Sequence, residues 1–216
     1  RVESQEKKAE ELAKAKEKLQ EVQDFIGLWN LEGTQKENGR TVAWKEKVSW
    51  TWKFKDGDAW MAAAFADGKG KYFASATLRY DLAKKKYILT LTGANKKEAV
   101  FEGELGPLGG LQLARSDEKT GDRYKLTLNT LAEGVRFQLK YERQEGGKGI
   151  YQNVFAMNGN KDGESLGSTK KKPECIVSGG AASIPVSYMG KTYYVCCSGC
   201  RDEFLAHPEK YVNAKR

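Results

Sequence analysis

The chain has 216 residues, 39% hydrophobic and 31% charged. That length suits one ordinary domain, or one moderate domain with a small appendage, and excludes a large multidomain enzyme. No run approaches the ~20 uninterrupted apolar residues of a membrane-spanning helix, and the mean hydropathy is −0.68, so membrane insertion is not expected. The 37 basic and 29 acidic residues give a net charge of +8, distributed as −1 over residues 1–24, +6 over 25–160 and +3 over 161–216. A thin spread of this kind does not make a nucleic-acid surface. The two lysine triplets, Lys84-Lys85-Lys86 and Lys170-Lys171-Lys172, stand beside turn-forming residues and read as solvated loops. Numbering that begins at Arg1 is compatible with a removed leader or with a trimmed chain.

Residues 1–24 combine Glu, Lys, Ala, Gln and Leu without Gly or Pro, and Glu10 and Lys14 stand four apart, which predicts a helix. Its apolar positions, Leu12, Leu19 and Val22, are too sparse for a coiled-coil seam and predict a solvated leader helix that docks through its last turns.

From Phe25 onward the hydrophobic period changes to two. Val42, Trp44, Val48, Trp50, Trp52 and Phe54 occupy even positions against polar residues on the odd ones, the pattern of a long strand with one buried face. The alternation recurs in Tyr72-Ala74-Ala76-Leu78-Tyr80, Tyr87-Leu89-Leu91, Tyr124-Leu126-Leu128 and Val135-Phe137-Leu139-Tyr141. Turn signals such as Asp56-Gly57, Gly68-Lys69-Gly70 and Gly146-Gly147 punctuate these runs. Connections this short demand antiparallel neighbours. Residues 25–158 are therefore expected to form a mainly β domain, an up-and-down antiparallel barrel of about ten strands whose closure removes exposed edges.

Residues 159–172 are rich in Gly, Ser and Lys and read as a linker. Residues 173–216 differ again, holding all four cysteines and the single histidine, His207. A domain this small needs a staple of disulfides or metal. Cys175, Cys196 and Cys200, or Cys197 and Cys200 as a C-x2-C pair, carry thiolates that suit soft or borderline ions. Ile184–Tyr188 and Thr192–Val195 flank Met189-Gly190-Lys191 as a hairpin, and Ser198 is a candidate N-cap for a helix that carries Cys200 in its first turn. Two disulfides in an exported chain, or a redox C-x2-C, are the competing readings, the latter without a thioredoxin-like βαβ pattern around it.

The run Val186-Ser187-Tyr188-Met189-Gly190-Lys191-Thr192-Tyr193-Tyr194-Val195-Cys196-Cys197-Ser198-Gly199-Cys200, preceded by Cys175 and followed by Phe204-Leu205-Ala206-His207-Pro208, resembles the YHS or TRASH domain with its C-x(19–22)-C-x3-C pattern. The resemblance implies a small α+β, treble-clef-like or zinc-ribbon-like fold and a role in heavy-metal trafficking, resistance or sensing. By the same resemblance Cys175, Cys196 and Cys200 are the ligands of a copper or zinc ion, and the fourth position is left to Cys197, to His207 or to solvent.

Gly27-Leu28-Trp29 at the first strand resembles the G-x-W signature of calycin barrels, lipocalin-like and nitrobindin-like. No histidine occurs between residues 25 and 157, so a His-ligated haem in the barrel is not expected. Trp44, Trp50, Trp52, Trp60, Phe65, Tyr72 and Tyr80 either line a ligand cavity or simply fill the barrel. Glu102 and Glu104 read as surface charges, and no catalytic constellation is found. The expectation is a binding protein and not an enzyme, taking its ion from or passing it to a metal-donor or metal-acceptor protein. The rival is a carrier of a small apolar ligand in the barrel, with the cysteines as a structural staple. The missing initiating Met and the calycin-like barrel lean towards a periplasmic or secreted location.

Overall fold

The computed structural model of the chain describes residues 2–107, 109–164 and 172–213. Residues 165–171, which hold half of the expected linker and two lysines of the second triplet, lie outside the described residues. The leader is helical over α1 (Val2–Gln20), with Lys14 and Glu10 paired at 2.6 Å.

Ten strands follow: β1 (Gly27–Glu37), β2 (Arg40–Lys55), β3 (Asp58–Phe65), β4 (Phe73–Asp81), β5 (Lys86–Gly93), β6 (Glu98–Leu105), β7 (Leu111–Ser116), β8 (Arg123–Leu131), β9 (Arg136–Gln144) and β10 (Gln152–Lys161). Each pairs antiparallel with its sequence neighbours, and β1 pairs with β10 to close the barrel. The ladder therefore has no free edge. β10 continues to Lys161, three residues into the stretch expected as linker.

Period two decides which side chains enter the barrel. Val48, Trp50 and Trp52 of β2 are buried, as are Leu89 and Leu91 of β5 and Phe137 and Leu139 of β9. Two departures from the expected pattern have local causes. The register slips between Phe73 and Ser75, so Phe73 and Ala76 are both buried and the alternation from Tyr72 through Ala74 is broken. Trp60 has the opposite parity to Phe65 and lies on the outer face, where the Arg79 guanidinium stacks on it at 4.3 Å. Glu102 and Glu104 also face outward, Glu102 pairing with Lys84.

The ends of the barrel differ. At one end α1 and the 3-10 turn Gln23–Phe25 bury Leu19, Val22, Phe25 and Ile26 in the core. The Tyr87 hydroxyl donates to Lys18 O at 2.8 Å there. Trp29 closes the same end: its indole N–H donates to Phe25 O at 2.8 Å, and the Lys161 ammonium sits 4.8 Å from its ring centroid. The first strand, the last strand and the leader are thus tied together at one residue. The other end is open.

The C-terminal module is a turn over Cys175–Gly180, the hairpin of β11 (Ile184–Tyr188) and β12 (Lys191–Val195), then α2 (Ser198–Ala206) and α3 (Pro208–Val212). Phe204, Val195 and Tyr211 form its small core. It docks on the capped end of the barrel, with α2 against β2. A Cβ on Gly199 would lie 1.7 Å from Trp52 O, so only glycine permits this approach of helix to strand. Among the described residues no helix is long and apolar enough to cross a membrane.

A candidate three-thiolate metal centre

Three local structures converge on one point. The turn after Pro173 is closed by hydrogen bonds from Cys175 N to Gly180 O at 2.7 Å and from Gly179 N to Cys175 O at 2.8 Å. It is laid beside β12 by Ile176 N donating to Tyr194 O at 3.0 Å. β12 ends at Val195, which places Cys196 just beyond the strand, and α2 begins immediately afterwards with Cys200 in its first turn. The sulfurs of Cys175, Cys196 and Cys200 all lie within 4.8 Å of one another, with Cys196 and Cys200 at 3.5 Å. A tetrahedral ion with metal–sulfur bonds of about 2.3 Å holds its thiolates roughly 3.8 Å apart. The trio fits such an ion.

All four cysteines are free thiols. The Cys196–Cys200 separation of 3.5 Å is far from the ~2.05 Å of a disulfide. The buried thiols hydrogen-bond one another and titrate as a set: the hydrogen bonds from Cys196 and Cys200 hold Cys175 far below the ordinary thiol range, and the same contacts push Cys200 and Cys196 up.

Cys197 touches the cluster from the side of the barrel. Its sulfur stands 3.9 Å from that of Cys196, is buried, and accepts the backbone N–H of Trp52 in β2 at 3.4 Å. The N-cap position of α2 belongs to Cys197, in extended backbone conformation, and not to Ser198, which is the first helical residue. His207 is apart from the trio. It is exposed at the junction of α2 and α3 and lines a cleft of about 600 Å³ with Asp58, Asp202 and Glu203.

Several residues at the site carried no sequence signal. Ser178 is fully buried; its N–H donates to Cys175 Sγ at 3.5 Å and its hydroxyl lies 3.3 Å from Cys196 Sγ. From the leader helix, Lys16 Nζ donates to Val177 O at 2.8 Å and Gln20 Nε2 to Ser178 O at 2.6 Å. Only the glycine pair Gly179-Gly180 hinted at a tight turn after Cys175.

The barrel residues expected to line one cavity are divided. Trp50 and Trp52 are fully buried packing residues, and Tyr80 stands against Tyr87 at the capped end. Trp44 and Tyr72 meet at the open end, 5.6 Å between centroids. A cavity of about 890 Å³ opens there, lined by Tyr72, Phe73, Phe101, Arg115 and Tyr141 among others. Burial pushes the Tyr141 hydroxyl up to about 12. Of the five cavity candidates, Tyr72 alone is on that lining.

The YHS domain family matches residues 177–215, a span that contains Cys196, Cys197 and Cys200 and begins two residues after Cys175. These residues form a YHS domain. Two solved structures are similar to this chain: Rv2717c from M. tuberculosis, at 15% identity and a TM-score of 0.44, covering 67% of this chain and 96% of that one, and the S-type phycobiliprotein lyase CPES from Guillardia theta, at 11% identity and a TM-score of 0.44, covering 70% and 94%. No curated protein matches the chain.

Proposed function

We propose that this protein captures a soft or borderline transition-metal ion, copper or zinc, on the thiolates of Cys175, Cys196 and Cys200, and passes it to or receives it from a partner protein. The observation that carries the reading is the convergence of three sulfurs from three separate local structures within 4.8 Å. The YHS family match over residues 177–215 supports it. A site with three protein thiolates and one remaining position suits transfer or sensing better than permanent structure, because closed four-ligand sites hold their ion. The reading is of a binding protein and not an enzyme, working in the periplasm or outside the cell. The test is anaerobic purification with metal content measured by mass spectrometry. About one copper or zinc per chain, lost in Cys175→Ser/Cys196→Ser/Cys200→Ser and exchanged rapidly with a competing chelator, supports the proposal; no uptake of either ion overturns it.

The open-end cavity favours a second reading, a small ligand with an apolar body held among Tyr72, Phe101 and Tyr141. It predicts that such a ligand copurifies with the barrel and is released by Tyr141→Ala without any change in metal content.

A further inference from the structure

We infer that Lys16, on the leader helix, is a positioning and charge-balancing residue of the thiolate centre, so that the metal site is shared between the YHS domain and the barrel domain's leader. The inference rests on the metal-binding reading above and adds a residue that lies outside the matched domain.

Lys16 and Gln20 stand four apart on α1, on one face of the helix. Both reach the turn that carries Cys175, Lys16 through Val177 O at 2.8 Å and Gln20 through Ser178 O at 2.6 Å. That turn in turn aims Ser178 N–H at Cys175 Sγ and the Ser178 hydroxyl at Cys196 Sγ. The leader helix therefore fixes the carbonyls on one side of Ser178, while the sulfurs lie on the other.

Lys16 also brings charge. Its ammonium is half-buried, 5.8 Å from the Phe54 ring centroid, and among the described residues no carboxylate pairs with it. A half-buried cation without an anion is costly. Burial, followed by the nearby Lys210, holds the Lys16 ammonium below the ordinary lysine range, and the sulfurs of Cys200 and Cys175, then Glu203, act against that shift. Three thiolates around a divalent ion carry a net charge of −1, and around a monovalent ion −2. In either case the ammonium of Lys16, held against the turn that carries Cys175, offsets one negative charge in a poorly solvated place. The more negative complex gains more from it.

The experiment compares the full chain with Lys16→Met, Lys16→Arg and Gln20→Leu. Affinities for zinc(II) and for copper(I) are measured anaerobically by chelator competition, and a thermal melt establishes that each variant is folded. Lys16→Met is expected to weaken zinc roughly tenfold and copper(I) by a larger factor, and Lys16→Arg to restore most of both. Gln20→Leu removes a hydrogen bond without removing charge, so it weakens the two ions by equal factors. Unchanged affinities in Lys16→Met, or an equal loss for both ions that Lys16→Arg does not rescue, overturns the charge-balancing role while leaving the metal-binding reading intact. If the parent chain binds neither ion, or the triple-cysteine variant binds as well as the parent, the metal-binding reading itself falls and this inference with it.

Discussion

The backbone N–H of Trp52, three residues before the end of the barrel's longest strand, donates to the sulfur of Cys197 in the YHS domain at 3.4 Å. Two residues later in the module, Gly199 rests directly on the carbonyl of the same Trp52. The cysteine beside Cys196 thereby joins the YHS domain to the barrel while its sulfur stays 3.9 Å from that of Cys196.

This division of labour predicts different outcomes for four otherwise similar substitutions. Cys175→Ser, Cys196→Ser and Cys200→Ser each abolish or greatly weaken metal uptake, because an alkoxide is a poor substitute for a thiolate toward soft ions. Cys197→Ser keeps about one ion per chain. Metal-to-protein ratios after refilling with zinc distinguish the two classes.

Gly199→Ala forces a methyl group against Trp52 O. Relief requires α2 to move away from β2, at a cost of about 1–3 kcal/mol. Limited proteolysis of the variant is expected to release the C-terminal module while the barrel persists, and the parent chain resists under the same conditions.

Trp29→Ala removes a fully buried indole, its hydrogen bond to Phe25 O and the surface on which Lys161 stacks. Large aromatic-to-alanine changes in cores cost about 3–5 kcal/mol. Chemical denaturation followed by tryptophan fluorescence should show that loss as a lowered midpoint, with zinc stoichiometry in the remaining folded fraction unchanged.

Asp122 accepts Gly146 N–H at 2.8 Å, Arg143 Nε at 2.8 Å and the Tyr124 hydroxyl at 3.1 Å, joining the β7–β8 and β9–β10 loops at the open end. The Gly146 N–H comes first among the interactions that hold its carboxyl below the ordinary range. A carboxylate with a lowered folded-state pKa contributes stability that is present above its unfolded value near 4 and is lost as pH falls through the folded value. Asp122→Asn should therefore be less stable than the parent at pH 7, and the difference should shrink below about pH 4. Thermal melts across that range measure it.

The barrel was legible because burial on one face imposes period two directly on the residues, as in Val48, Trp50, Trp52 and Phe54 with polar residues between them. The helix of residues 2–20 followed from composition, and the thiolate cluster from the confinement of every cysteine to the last part of the chain. These are local properties. The slip at Phe73, the outward turn of Trp60 and the N-cap at Cys197 depend on hydrogen-bond registry with neighbouring strands and on contacts made across the fold.

What the sequence by itself determined was a closed-barrel pattern, a leader helix and three cysteines at the spacing of a metal-binding module. What only the tertiary structure decided was which sulfurs meet, that Cys197 faces Trp52, that Tyr72 lines the open-end cavity while Trp50 and Trp52 fill the core, and that Lys16 and Gln20 reach the turn of Cys175. Lys16 and Val177 stand 161 positions apart, and no periodicity or spacing along the chain records a contact made by docking one domain on another. Such a contact exists only when two separately formed surfaces are brought together.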